Sequence, residues 1–411
     1  MKVAGIIAEY NPLHNGHAYH IRKVKELTKA DYVIVVMSGN FTQRGIPALM
    51  DKYSRAKMAL KAGADLVLEL PLCYSSGSAE YFASGAVALL DKLGMVDCIC
   101  FGSECADIRI LTEIADILID KEDLLSEQIR AHMKQGLTYP QARAQAIGAL
   151  IPNAYAHVDA MSYPNNILGF EYIKALKRRN STIVPYTNQR IGSGYHDRMV
   201  TDGMSSALSI RQSLLENNSL EMLETSVPDY VFTAMQKNYG KSFPVYHDDI
   251  SSILKYKLLL EESKGYTEYL DISEDFSAKI AKNLKKYRNF TQFCELLKSK
   301  DITYARVSRC LLHILLNLKK ENLEKYVAND YIFYARILGI QKDATELSSA
   351  MKEKSSIPII SKLADAKKNL SPLGMEMLES DILAAHIYDS IVAEKFNAKP
   401  TNEFTREIVT E

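Results

Sequence analysis

No apolar run in this chain of 411 residues approaches the roughly 20 consecutive residues that a membrane-spanning helix requires. Nor is there a surplus of charge: 50 Lys and Arg balance 50 Asp and Glu, so bulk composition demands neither nucleic acid nor a membrane surface. Two common phosphate-binding signatures are missing as well. No G-x-x-x-x-G-K-[ST] occurs, and no G-x-G-x-x-G follows the first strand, which excludes the P-loop and dinucleotide solutions. Met1-Lys2 leads straight into an apolar stretch, without the regions of a secretory leader. Six cysteines lack the paired C-x-x-C spacing of zinc sites and any disulfide framework. They point to reduced thiols and a cytoplasmic setting. Cys98 and Cys100 read as small strand residues and Cys105 as the opening of a helix, so no resident metal is expected.

What is present is an ordinary globular balance, 47% hydrophobic and 24% charged, in a chain long enough for two domains. In the first half, strand signals at Val3–Ala8, Tyr32–Met37, Asp65–Leu70, Asp97–Phe101 and Thr182–Pro185 alternate with helical periodicity. The clearest helical stretches are Asp51–Ala62, Ser78–Lys92 and Ala106–Ile119. Such alternation implies βαβ units and a parallel sheet, which binds ligands beyond the C-terminal ends of its strands. A helical insertion is expected from about 120 to 179. From about 213 onward strand signals fade and helical spacing dominates, as in Ser251–Glu261, Ser277–Leu284, Phe290–Leu297, Ala305–Asn317 and Ser380–Ala393. The expected organisation is therefore an α/β, Rossmann-like catalytic domain over 1–215 and an all-α domain over 216–411.

The most informative segment is Ala8-Glu9-Tyr10-Asn11-Pro12-Leu13-His14-Asn15-Gly16-His17, between the first strand and a helix. That junction offers free N–H groups and the positive end of a helix dipole, and Gly16 lets a ligand approach the backbone. His14 and His17 are placed to stabilise charge at a phosphoryl centre. His20, one turn on, is a weaker candidate for the same ligand. Ser205-Ser206-Ala207-Leu208-Ser209-Ile210-Arg211 reads as a serine-capped helix start. Its hydroxyls suit phosphate, and Arg211 suits a leaving pyrophosphate. Ser38-Gly39-Asn40-Phe41-Thr42-Gln43-Arg44-Gly45 follows the second strand. Asn40, Gln43 and Arg44 there form a candidate cradle for a small carboxylate. Gly102, in Phe101-Gly102-Ser103-Glu104, lets the backbone lie against a base. Asn165 and Arg190 sit on segments able to close over a nucleotide.

One charged stretch stands out from the neutral whole. Between Asp275 and Lys320 there are eleven basic residues against three acidic ones. Lys279, Lys282, Lys285, Lys286, Arg288, Arg306 and Arg309 are candidate phosphate contacts, and the interleaved Tyr287, Phe290, Phe293 and Tyr304 are candidate stacking partners for unpaired bases. The bland alternative is a solvated face with the aromatics in the core.

His14-Asn15-Gly16-His17 together with Ser205–Arg211 resembles the H-x-G-H and S-S-T-x-I-R signatures of the nucleotidylyltransferase superfamily. The second match is loose, because Ala207 and Ser209 depart from the pattern. The fuller set G-I-I-A-E-Y-N-P-L-H-N-G-H, S-G-N-F-T-Q-R-G, F-G-S-E and P-N-N-I-L-G resembles the bacterial tRNA(Met) cytidine acetate ligase family. The resemblance implies an enzyme that uses ATP, with Mg²⁺ carried by the triphosphate, to turn acetate into acetyl-adenylate. It then implies acetylation of N4 of the wobble cytidine of elongator tRNA(Met). It places ATP along Ile7, Ala8, Glu9, Tyr10, Asn11, Pro12, Leu13, His14, Asn15, Gly16, His17 and His20, with Gly102, Asn165, Arg190, Ser205, Ser206 and Arg211. His14, His17 and Arg44 are the implied catalytic residues. A small-molecule nucleotidylyltransferase of cofactor synthesis and a non-catalytic nucleotide-sensing RNA-binding protein remain as alternatives.

Overall fold

The computed structural model describes residues 1–137, 139–150, 155–190, 205–217 and 219–411. The first strand, β1 (Val3–Ala8), is followed by a helix, α1 (Asn15–Thr28), and by β2 (Tyr32–Ser38). A second helix, α2 (Lys52–Lys61), leads to β3 (Leu66–Leu70), and the Ala79–Lys92 helix leads to β4 (Cys98–Ser103). Both α1 and α2 end with a basic residue in the last turn and start at a side-chain cap, His14 and Asp51 respectively. A run of short helices spans 108–160, then α3 (Pro164–Arg178) returns the chain to β5 (Val184–Gln189).

The sheet runs β5-β4-β1-β2-β3, all parallel. The strands β2, β3 and most of β1 are buried along their length, which is why they read as continuous apolar runs rather than alternating ones. After β3 the chain crosses to the far side of β1 to lay down β4. The order therefore reverses between β1 and β4, and a ligand crevice opens beyond their C-terminal ends.

Past residue 205 the chain is mainly helical, including α4 (Ala207–Asn217), α5 (Tyr304–Leu315) and α6 (Pro372–Phe396). The expectation of helices alone beyond 216 needs one correction. Three short strands, β6 (Ala335–Ile340), β7 (Ile359–Ile360) and β8 (Val409–Thr410), extend the sheet to eight strands. The pairing of β6 with β3 is antiparallel, and β7 and β8 pair with β6. The two halves thus share one sheet. The physical reason is that β3, buried on both faces, would otherwise present an unpaired edge.

A buried ion network seals this junction. Lys52 Nζ lies 2.8 Å from Glu69 and 2.5 Å from Glu403, and Arg336 lies 3.1 Å from Glu69 and 2.6 Å from Glu403. All four side chains are at most 5% exposed, so each charge depends on its partners for solvation. Although burial pushes the Glu403 carboxyl up, Lys52 and Arg336 hold it down at about 2.

Candidate active site

The H-x-G-H segment folds as the junction pattern predicts. His14 is the N-cap of α1, in extended conformation, and its Nδ1 accepts a hydrogen bond from the Gly16 N–H at 3.1 Å. His17 answers by accepting from the His14 N–H at 3.4 Å, a reciprocal cap built from two imidazoles. The rings stack with centroids 3.7 Å apart, and Tyr10 meets His17 edge-on at 5.0 Å. Capping consumes Nδ1 of both rings. Among the described residues, the buried His14 Nε2 has no hydrogen-bond partner, which leaves it available to an incoming ligand.

Electrostatics sharpen this picture. Burial, then the charges of Arg190 and Arg211, lower His14 to about 3. Burial, His14 and Arg190 take His17 well below its ordinary value. Both imidazoles are therefore neutral at pH 7 in the ligand-free chain, sharing a crevice with two guanidinium groups. A polyphosphate entering here replaces repulsion with attraction and raises both imidazole values. His20 is lowered too, chiefly by burial, and hydrogen-bonds to the Cys100 backbone and the Asn188 side chain. It ties α1 to β4 and β5 rather than facing the His14 cap.

The serine motif meets the histidine loop through Arg211, whose Nη1 donates to the Asn11 carbonyl at 2.7 Å. The serines themselves are engaged otherwise than expected. Ser205 Oγ lies 2.9 Å from Ser226 Oγ, and Ser206 caps α4 by accepting from the Ser209 N–H at 3.1 Å. Both are buried. Their visible work is to pin α4 against the loop that also receives Asn15, through Asn15 N to Ser226 O at 3.1 Å and Asn15 Nδ2 to Thr225 O at 2.8 Å.

On the opposite rim, the loop after β2 turns tightly, with Gly45 N donating to Thr42 O at 2.9 Å. Gln43 N donates to Glu9 Oε1 at 2.8 Å, which brings this loop to the end of β1. Asn40 is 6% exposed, and its Oδ1 accepts from the Lys52 N–H at 2.8 Å, so part of its hydrogen-bonding capacity goes to the start of α2. Arg44 sits half-buried at the turn. Gly45 has φ +72 and lies flat on α5, where a Cβ would come within 2.3 Å of the Arg309 backbone nitrogen. The Ser308 hydroxyl donates to the Gly45 carbonyl at 3.0 Å.

Gly102 and Arg190 are neighbours beyond β4: a Cβ at Gly102 would lie 4.0 Å from Arg190 Cβ, and Arg190 N donates to Ser103 O at 3.0 Å. Asn165 stands at the start of α3 and donates to Glu104 at 2.6 Å. Ile7, Ala8, Tyr10, Asn11, Pro12, Leu13, Asn15 and Gly16 all lie along the end of β1 and the α1 cap. Tyr10, at φ 49, and the cis Asn11–Pro12 bond shape this turn. Arg190 ends the described segment that carries β5, and residues 191–204 lie outside the described residues.

Local sequence did not reveal Arg55. It is fully buried on α2 and donates to four carbonyls, those of Met50 at 3.0 Å, Glu9 at 2.6 Å, Ser38 at 3.1 Å and Gly39. One guanidinium thereby fixes the departing backbone of β1 and β2 together. On a helix of mixed composition such a residue reads as a surface arginine.

The basic stretch divides. Lys282, Lys285, Lys286, Arg288 and Arg306 are exposed or partly so; Lys279 is partly buried, donating to the Leu297 carbonyl at 2.6 Å, and Arg309 lies 3.7 Å from Asp271. The stacking expectation is corrected for three aromatics. Tyr287, Phe290 and Phe293 are at most 5% exposed and pack the helical core: the helix Phe290–Leu297 turns its apolar face inward, and the Tyr287 hydroxyl donates to the Ser251 carbonyl at 2.8 Å.

A doubly wound sheet, a histidine-capped α1 and two arginines at its reversal point define a nucleotidyl-transferring fold. The family described as HIGH Nucleotidyl Transferase matches residues 1–403. Among curated relatives, the tRNA(Met) cytidine acetate ligase of Thermoanaerobacter sp. (strain X514) is 42% identical over 389 residues, covering 94% of this chain and 95% of that one. The tRNA(Met) cytidine acetate ligase of Acetivibrio thermocellus is 38% identical and covers all of both chains. The crystal structure of apo Thermotoga maritima TmcAL matches with a TM-score of 0.91 at 31% identity, covering 100% of this chain and 99% of that one. A second form of that protein, bound with alpha-thio ATP, matches at 0.90. This chain belongs to the tRNA(Met) cytidine acetate ligase family.

Proposed function

We propose that the chain is an ATP-dependent ligase that converts acetate to acetyl-adenylate and acetylates N4 of the wobble cytidine in elongator tRNA(Met). The observation that carries the reading is the meeting, at the β1/β4 reversal, of the His14–His17 cap with the charges of Arg190 and Arg211. An acetate oxygen bonds to the α-phosphorus while the bond to the bridging oxygen breaks and pyrophosphate leaves. Neutral imidazole N–H groups donate to the crowded α-phosphoryl oxygens, and Arg190 and Arg211 compensate the departing charge. The loop of Asn40, Gln43 and Arg44 presents the carboxylate from the neighbouring strand end. The cytidine amine then forms the amide bond as the acyl–phosphate bond breaks and AMP leaves.

No group of three or more His, Cys, Asp or Glu gathers as a metal site among the described residues. The charges of Arg190 and Arg211 reach this crevice, which favours Mg²⁺ arriving on the incoming triphosphate. The exposed basic face of 282–306 grips the tRNA backbone, and the half-buried Arg309 lies where that face adjoins the acetate loop. No helix among the described residues is long and apolar enough to cross a membrane; a tRNA substrate favours a cytoplasmic setting. The experiment combines protein, ATP, labelled acetate and tRNA(Met). Label is expected in N4-acetylcytidine, and unlabelled cytidine after ATP consumption rejects the reading.

A further inference from the structure

Glu104 follows Gly102 by two residues and binds the start of α3 through both carboxylate oxygens. Oε1 accepts from Asn165 Nδ2 at 2.6 Å, and Oε2 accepts from the Asn166 N–H at 3.0 Å. Asn166 returns the contact: its Oδ1 accepts from Glu104 N at 2.8 Å and Cys105 N at 3.2 Å, and its Nδ2 donates to Ala160 O at 2.9 Å. Asn166 is wholly buried, whereas Asn165 is only partly so. The first asparagine of the pair is thus held outward by a loop that the second locks in place.

An ionised carboxylate only accepts hydrogen bonds, so its partner must present N–H. The Asn165 amide therefore has one permitted orientation: nitrogen toward Glu104, oxygen away. That oxygen has no hydrogen bond among the described residues. We infer that Glu104 is a positioning residue that fixes Asn165 with its amide oxygen as an open acceptor, so that the site selects a nucleotide whose nucleoside presents a hydrogen-bond donor there. The inference rests on the β1/β4 crevice being the ATP site. Two donors of ATP fit the chemistry, the 6-amino group of adenine and a ribose hydroxyl.

Glu104→Gln separates this role from simple support of the fold. The oxygen of the introduced amide stays on the Asn166 N–H, because the alternative sets two donors face to face. The nitrogen of that amide then meets Asn165, which must rotate to accept and turns its own N–H₂ toward the ligand. The site's polarity inverts while its shape persists.

Calorimetric titration of wild-type protein with ATP, ITP, 2′-dATP and 3′-dATP reads the selection directly. ITP carries an acceptor oxygen in place of the amine. If the amine is the donor, ATP binds about tenfold tighter than ITP, and Glu104→Gln narrows or reverses that ratio. If a hydroxyl is the donor, one deoxy analogue loses about tenfold, and Asn165→Leu abolishes the difference. Equal binding of all four nucleotides by wild type overturns the inference. So does an equal loss for all four in Glu104→Gln with no change in their ranking. These rankings need neither acetate nor tRNA, so a failure of acetyl transfer and a failure of this inference are told apart. Should Glu104→Gln not fold, the Asn165→Leu rankings decide: discrimination that survives in Asn165→Leu overturns it.

Discussion

Gly45→Ala tests whether the loop carrying Arg44 is held in place by contact with the helical half. The added Cβ would stand 2.3 Å from Arg309 N, 2.5 Å from the Ser308 carbonyl carbon and 2.6 Å from Arg309 Cα. All three neighbours are backbone of α5, so no side-chain rotation relieves the overlap. Ordinary carbon contact begins near 3.4 Å, so the loop must retreat by about 1 Å. The residue also sits at φ +72, which costs a non-glycine about 1–2 kcal/mol. Adding overpacking of about 1–3 kcal/mol, the total destabilisation is about 2–5 kcal/mol. A displacement of about 1 Å in a substrate-positioning group costs about a hundredfold in rate. Acetate-dependent pyrophosphate exchange should therefore fall by about two orders of magnitude, while ATP affinity, set across the sheet at β1 and β4, stays within about threefold. Thermal melting and calorimetry supply the controls. If Gly45→Ala melts with wild type and turns over acetate normally, the loop is not seated by α5 and the positioning argument fails.

Three further outcomes are expected. His14→Ala and His17→Ala lower adenylation by about 10²–10³-fold, read by pyrophosphate exchange, with tRNA affinity by filter binding left near wild type. Lys285→Glu with Lys286→Glu weakens tRNA binding and flattens its salt dependence, read by filter binding at several salt concentrations, while acetyl-adenylate forms normally. The third concerns pH. The folded His14 value of about 3 lies below the unfolded 6.5. Its contribution is complete above pH 6.5 and is lost as pH falls from there toward 3, at about 1.4 kcal/mol per pH unit. The melting temperature of the ligand-free protein should thus drop between about pH 7 and 5, and less steeply in His14→Asn. Saturating ATP should flatten the slope, because phosphates favour imidazolium.

The catalytic half was largely legible because its signals are local. β1 matches its expected bounds, and the other four parallel strands and α2 fall within a few residues of theirs. Buried parallel strands are written as short apolar runs, and a strand-to-helix turn needs caps and glycine at fixed offsets. β6 was not legible: Ala335-Arg336-Ile337-Leu338-Gly339-Ile340 contains a charge and a glycine amid helical sequence. Its Arg336 is buried only because Glu69 and Glu403, remote in sequence, are there to meet it. Arg55 escaped notice for a similar reason, since its four acceptors are backbone carbonyls drawn from three segments. The buried aromatics of 287–293 show the converse. Composition gave their company with lysine and arginine, but only packing decides which face each occupies.

The antiparallel seat of β6 beside β3 has a consequence for how the molecule is made. During synthesis on a ribosome, β3 is finished long before its outer neighbour exists. Arg336, the partner of Glu69, arrives with β6, and Glu403, which meets Lys52 and Arg336, arrives later still. The nucleotide-handling sheet therefore waits, with one flank open and its buried charges only partly matched, until the segments carrying β6 and Glu403 have left the exit tunnel. A nascent chain arrested before residue 335 should be prone to capture by chaperones or by pairing with another strand, and acetylating activity should be absent until the late segments have closed that flank.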